Sequence, residues 1–156
     1  MLRPVRERGN NMVQILETAD FSPLAALYHA SGLEVKPTDP VPEGTLKLWR
    51  CEDSETHALL AGATLQRTAG CYILKHLAVT EERRGTGLGE TLLSVVEEEV
   101  RRRGGGEMWL VGKVPSFYLQ YGWEKVSREN APFTSRCLAC KQFGVDCFPS
   151  VMRKSL

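Results

Sequence analysis

The sequence predicts an α/β fold of the mixed α+β kind, one mixed sheet with helices, and three stretches carry that expectation. Residues 71–106 read strand, glycine turn, helix. Strand-like runs at 45–51, 58–68 and 71–80 are joined by turns so short that the runs must lie antiparallel. A short apolar run at 107–111 follows about four turns of helix, enough to return the chain parallel to the strand it left. With 156 residues, 42% of them hydrophobic, one domain spanning 1–156 with one core is expected.

In chain order, residues 1–11 are expected to form a flexible leader. Met12 to Glu17 alternates as a first strand. Asp20 or Ser22 can cap a helix with Pro23 in its first turn, Leu24, Leu27 and Tyr28 on its apolar side and Gly32 at its stop. Pro37, Pro40 and Pro42 mark a loop that borders a substrate site in this reading. The three strands of the meander follow, with turns at 52–56 and at Ala69-Gly70. After residue 106, Pro115 to Tyr121 forms a short helix ended by Gly122, Trp123 opens a strand, and a last strand lies around 148–153.

Composition excludes some functions. Lys plus Arg number 20 and Asp plus Glu 19, a balance that argues against nucleic acid or an anionic membrane surface as the main partner. No apolar run reaches membrane-spanning length. Arg3, Arg6 and Arg8 have no apolar stretch behind them, so no secretory signal is read and a cytoplasmic location is expected. There the five cysteines stay reduced, as core residues, metal ligands or reactive thiols.

Gly85, Gly87 and Gly89 stand at alternate positions before an amphipathic helix whose apolar residues are Leu88, Leu92, Val95, Val96 and Val100, with Glu90, Glu97, Glu98 and the arginines elsewhere. Arg101 to Arg103 suit the negative end of the helix dipole, and Gly104 to Gly106 supply the stop. Such a turn lets backbone N–H groups converge where the helix presents its positive end, so the favoured ligand is a phosphate or pyrophosphate. Arg84 adds a fork of donors. Neither the P-loop nor the dinucleotide-binding glycine motif is present: no Lys-Ser or Lys-Thr follows, and Glu90 occupies the place of the third glycine of the latter.

The run Leu77 to Gly89 (LAVTEERRGTGLG) resembles the acetyl-CoA signature [QR]-x-x-G-x-[GA] of the GNAT acyltransferase superfamily, carried here by Arg84, Gly87 and Gly89. A second element, Phe117-Tyr118-x-x-x-Gly122-Trp123, resembles that family's F-Y-x-x-x-G-[FW] in the correct order. The order of elements is that of the GNAT fold over almost the whole chain. The resemblance implies a central sheet splayed between its fourth and fifth strands, with helices on both faces and the pantetheine arm of CoA in the gap. It implies pairing of that arm to main-chain groups of Leu77, Ala78 and Val79, and a diphosphate cradle of Arg84, Gly85, Thr86, Gly87, Leu88 and Gly89. It also implies acetyl transfer from acetyl-CoA to an amine of a small molecule or amino acid by direct attack in a ternary complex.

Tyr118 matches the residue that hands a proton to the departing thiolate in many family members. A thiol of pKa about 8.5 and a phenol of pKa about 10 fit that exchange. Ile73 stands where many members carry a glutamate, so a carboxylate base is not expected there; His76, in the same strand, is the candidate base. Glu34, Glu81 and Glu82 can orient water. A homodimer is compatible with the sequence.

Cys137, Cys140 and Cys147 form a Cys-x-x-Cys-x6-Cys group within a segment, 128–147, that precedes the final strand. CxxC spacing suits a tetrahedral soft ion such as zinc, and Arg136 and Lys141 ease thiolate formation. Redox-sensitive thiols and simple buried cysteines are the alternatives. Cys51 and Cys71 are read as core. The group supports a second functional reading: a CoA-binding GNAT domain with weak or no catalysis that senses metal, metalloid or redox state.

Overall fold

The computed structural model describes residues 2–6, 12–133 and 149–156. Eight strands are present: β1 (Leu2–Arg6), β2 (Met12–Thr18), β3 (Thr45–Asp53), β4 (Leu59–Thr68), β5 (Cys71–Val79), β6 (Glu107–Gly112), β7 (Glu124–Val126) and β8 (Ser150–Ser155). The helices are α1 (Ser22–Ala30), α2 (Leu88–Arg102) and α3 (Pro115–Leu119), with 3₁₀ turns at Glu81–Arg83 and Arg128–Asn130. Strand order in the sheet is β1-β2-β3-β4-β5-β6-β8-β7. The pairs β1–β2, β2–β3, β3–β4, β6–β8 and β7–β8 are antiparallel, while β5 and β6 run parallel with Ile73 opposite Trp109. The mixed sheet and its parallel central pair are as expected.

The leader expectation is corrected over its first part. Leu2–Arg6 is a strand, antiparallel to β2 from Leu2 opposite Leu16 to Arg6 opposite Met12. Pro4 is accommodated because β1 is an edge strand. Residues 7–11 lie outside the described residues.

Contacts group the chain into two compact units, Met1–Gln66 with Leu74–Glu98, and Arg67–Ile73 with Glu99–Leu156. In the first, α1 buries Leu24, Ala25, Leu27 and Tyr28 together with Phe21, Val35, Leu48 and Ala78 of β5. The cap of α1 is Phe21, without a side-chain hydrogen bond, instead of the expected Asp20 or Ser22. Its end follows expectation: Gly32 takes φ +85°, its N–H reaches the His29 carbonyl at 3.0 Å, and the Leu33 N–H reaches the Tyr28 carbonyl at 3.0 Å. Those two bonds satisfy carbonyls the helix leaves open.

In the second unit, Ile73, Trp109, Phe133 and Val151 form an apolar cluster in which Trp109 meets Phe133 edge-on at 5.9 Å. The end of α2 is a left-handed cap at Gly104, with Gly104 N–H to the Arg101 carbonyl at 2.9 Å and Gly105 N–H to that of Val100 at 2.9 Å. All five apolar residues expected on one face of α2 are buried, as is Leu93. Glu97, expected off the apolar face, and Glu99 are nonetheless buried, each only 5% exposed. The Glu99 carboxylate is held by Arg103 at 2.7 Å and Arg102 at 3.2 Å. No helix among the described residues is long and apolar enough to cross a membrane.

Candidate active site

The glycine turn is built by bonds the chain makes to itself as it leaves β5. Thr80 donates its N–H to the Leu60 carbonyl at 2.8 Å, and the 3₁₀ turn that follows is closed by Arg83 N–H to the Thr80 carbonyl at 3.0 Å. Arg83 also reaches the Asp53 carboxylate at 3.3 Å. The N–H groups of Thr56 and Glu55, with Arg83, hold that carboxyl below the usual range against the opposing effect of burial. The turn is thus tied to the end of β3.

Gly85 and Gly87 then take φ +80° and +90°, in the left-handed region that other residues enter only with strain. Thr86 Oγ1 donates to the Arg83 carbonyl at 2.6 Å, and Thr91 donates to the Gly87 carbonyl through both its N–H at 3.1 Å and its Oγ1 at 3.0 Å. The Thr91 bond is the first i to i−4 link of α2. The N–H groups of Leu88, Gly89 and Glu90 precede it and have no carbonyl within the helix to meet. An anion is the ligand these donors and the helix dipole suit.

Arg84 is partly committed: its Nε donates to the Val79 carbonyl at 3.3 Å. Of the main-chain groups expected to pair with the pantetheine arm, that carbonyl is therefore occupied. Leu77 and Val79 are half-buried, while Ala78 packs in the cluster of α1.

Tyr118 is positioned by α3 and the turn after it. Its carbonyl accepts from the Tyr121 N–H at 2.9 Å and the Trp123 N–H at 3.3 Å, and Gly122 turns the chain at φ +88°. The ring packs edge-on against Phe117 at 5.0 Å and Trp123 at 5.6 Å. No hydrogen bond from a described residue engages the hydroxyl, and burial raises its pKa above the ordinary phenol value. It remains a neutral donor across the physiological range. Tyr121 packs edge-on against Phe117 at 5.2 Å. Trp123, 3% exposed, is the supporting residue that sequence reading did not single out as such; its place in the second motif was the available signal.

His76 is 8% exposed and lies 4.5 Å from the Tyr28 ring and 6.1 Å from Phe21. Tyr28 is in turn fixed by a 3.0 Å bond between its hydroxyl and Thr64 Oγ1. Burial, helped by the charge of Lys75, pushes His76 down to about 3. The geometry places His76 in packing against Tyr28 and Phe21. Ile73, at 5% exposure, is likewise enclosed by apolar side chains.

This burial has a measurable consequence. As pH falls below about 6.5 the unfolded chain binds a proton at His76 while the folded chain, with its pKa at about 3, does not. Stability present above about 6.5 is therefore lost on acidification, by about 2 kcal/mol at pH 5. Urea unfolding at both pH values should show this loss in the wild type and a flatter profile in His76→Gln; equal slopes would contradict it.

Cys51 is buried and Cys71 half-buried, the latter with its thiol pKa pushed up by burial and then by Glu107. Cys137, Cys140 and Cys147 lie outside the described residues. Among the described residues no group of three His, Cys, Asp or Glu is set to hold a metal ion; the three cysteines that carry the zinc expectation and the sensor reading lie outside those residues.

The sequence profile of the Acetyltransferase (GNAT) family matches residues 16–123, a span that contains both the glycine turn and Tyr118. The chain belongs to the GNAT acetyltransferase family. Solved structures share its fold. N-acetylglutamate synthase from Neisseria gonorrhoeae, complexed with coenzyme A and N-acetyl-glutamate, superposes with a TM-score of 0.73 at 20% identity over 92% of this chain. This chain spans 35% of the synthase's length. A GNAT family acetyltransferase from Elizabethkingia anophelis with acetyl-CoA bound gives 0.66 at 15% identity, over 92% of this chain and 98% of its own. One from Staphylococcus aureus gives 0.66 at 14%, over 92% and 99%. Comparison with curated proteins returned no match.

Proposed function

We propose that this protein is an N-acetyltransferase that moves the acetyl group of acetyl-CoA to an amine of a small molecule or amino acid, by direct attack while both substrates are bound. The observation that carries the reading is the turn at Gly85 and Gly87, two left-handed residues feeding a helix whose first N–H groups have no internal acceptor. The CoA and acetyl-CoA bound to the solved structures of like fold support the choice of anion.

In this proposal Arg84, Gly85, Thr86, Gly87, Leu88 and Gly89 hold the diphosphate. Main-chain groups of Leu77, Ala78 and Val79 receive the pantetheine arm, with Arg84 releasing the Val79 carbonyl where that group is needed. The amine nitrogen forms a bond to the acetyl carbon, the carbon–sulfur bond breaks, and the sulfur leaves as a thiolate that takes a hydrogen bond and then a proton from Tyr118. The excess proton on nitrogen passes to water, and water returns to Tyr118 the proton it gave to sulfur.

Thioester consumption measured over a panel of free amines tests the activity. At least one amine is expected to release CoA in step with formation of its N-acetyl product. Release at the same slow rate with and without every amine would contradict the reading.

A further inference from the structure

Lys75 is the midpoint of β5, and β5 is an interior strand with β4 on one side and β6 on the other. Interior strands are normally covered, and here Tyr72, Ile73, Leu74, His76 and Ala78 are buried. Lys75 is exposed between two buried neighbours. A lysine has low strand propensity, and its ammonium demands water or an anion, so the layer over the sheet must be open at this point. No ion pair or hydrogen bond with a described residue engages it. The next residue, His76, points to the opposite face of the sheet, where it packs against Tyr28 and Phe21, so Lys75 stands on the other face from that cluster.

The location matters under the function proposed above, on which this inference rests. If the acyl arm lies along Leu77 to Val79, Lys75 stands two residues, roughly 7 Å, further along the strand from the paired segment, on the side away from the glycine turn. That is the direction from which the acceptor must approach the acetyl group. An ammonium there that no described residue pairs attracts negative charge and repels an acceptor whose only charge is its own ammonium.

We propose that Lys75 is the specificity-determining residue for the acceptor, and that the acceptor is an amine that also carries an anionic group. A carboxylate and a phosphate share the chemistry Lys75 recognises, and the two are separated by the choice of amines.

The experiment compares matched pairs with the wild type and with Lys75→Ala and Lys75→Arg: α-amino acids against their amides, and phosphoethanolamine against ethanolamine. The wild type should prefer the anionic member of one pair type, which names the group. Lys75→Ala should raise KM for that member by about tenfold to a hundredfold, leaving turnover of the neutral member and CoA binding within about twofold, and Lys75→Arg should restore most of the loss. Equal use of both members by the wild type, or an equal loss on both in Lys75→Ala, would overturn the proposal. Calorimetry of the same amines with CoA-loaded protein reads the preference without turnover. If no amine is acetylated yet the anionic members bind in a Lys75-dependent way, the activity reading fails and the recognition reading stands; if none binds, the recognition reading fails too.

Discussion

Gly87→Asp is expected to abolish CoA binding, lowering affinity at least a hundredfold. Two effects combine. Gly87 holds φ +90°, where an L-residue is strained by about 1–2 kcal/mol, so the substitution distorts the turn or weakens it. The new carboxylate also stands one residue before α2, at the helix end where the proposed diphosphate is bound, and repels it there. Gly87→Ala separates the two, since it keeps the strain without the charge, and a loss of about tenfold is expected from it. Asp is otherwise a favoured residue before a helix, so its gain as a cap works against a general loss of stability. Titration of both variants with CoA, with circular dichroism to establish that they are folded, decides the matter. Affinity of Gly87→Asp within a few-fold of the wild type would remove the glycine turn from the binding site.

Tyr118→Phe carries the second large effect: turnover should fall by about a hundredfold while CoA affinity is unchanged. The substitution keeps the ring that packs against Phe117 and Trp123 and removes only the hydroxyl, which no described residue engages. Burial raises the phenol's pKa, which has two opposed consequences. It keeps the proton in place at every working pH, and it makes full transfer to sulfur less favourable than for an exposed phenol. The hydrogen bond to sulfur as negative charge builds is then the main contribution. The wild-type rate should accordingly show no loss between about pH 8 and 10 that Tyr118→Phe abolishes, because the phenol does not ionise there. Equal turnover by the two proteins across that range would take Tyr118 out of the reaction.

The centre of the fold was legible because two periodicities meet there. Alternation ends at Val79, three-and-four spacing starts at Leu88, and glycines separate them, so β5, the turn and α2 lie within a residue or so of their expected bounds. Phe117, Tyr118, Gly122 and Trp123 could be read for a similar reason, as a helix, a left-handed stop and a strand entry. What escaped depends on contacts distant in sequence. β1 has three polar or conformationally restricted residues in five, and only its register against β2 makes it a strand. Glu97 reads as lying off the apolar face of α2, yet the fold encloses it. Lys75 is a single cation in an apolar run, and its exposure is set by what does not cover it. The packing of His76 followed the same pattern: a histidine in a strand is ambiguous, and its contacts with Tyr28 and Phe21 come from distant parts of the chain.

Isothermal titration of the folded wild-type protein with acetyl-CoA and with CoA is the most direct measurement of the central claim. One site per chain is expected, with micromolar affinity for both compounds and a marked weakening for pantetheine, which lacks the diphosphate. Absence of heat with either compound, or equal affinity for pantetheine, would mean that the amides at the start of α2 do not bind a CoA diphosphate.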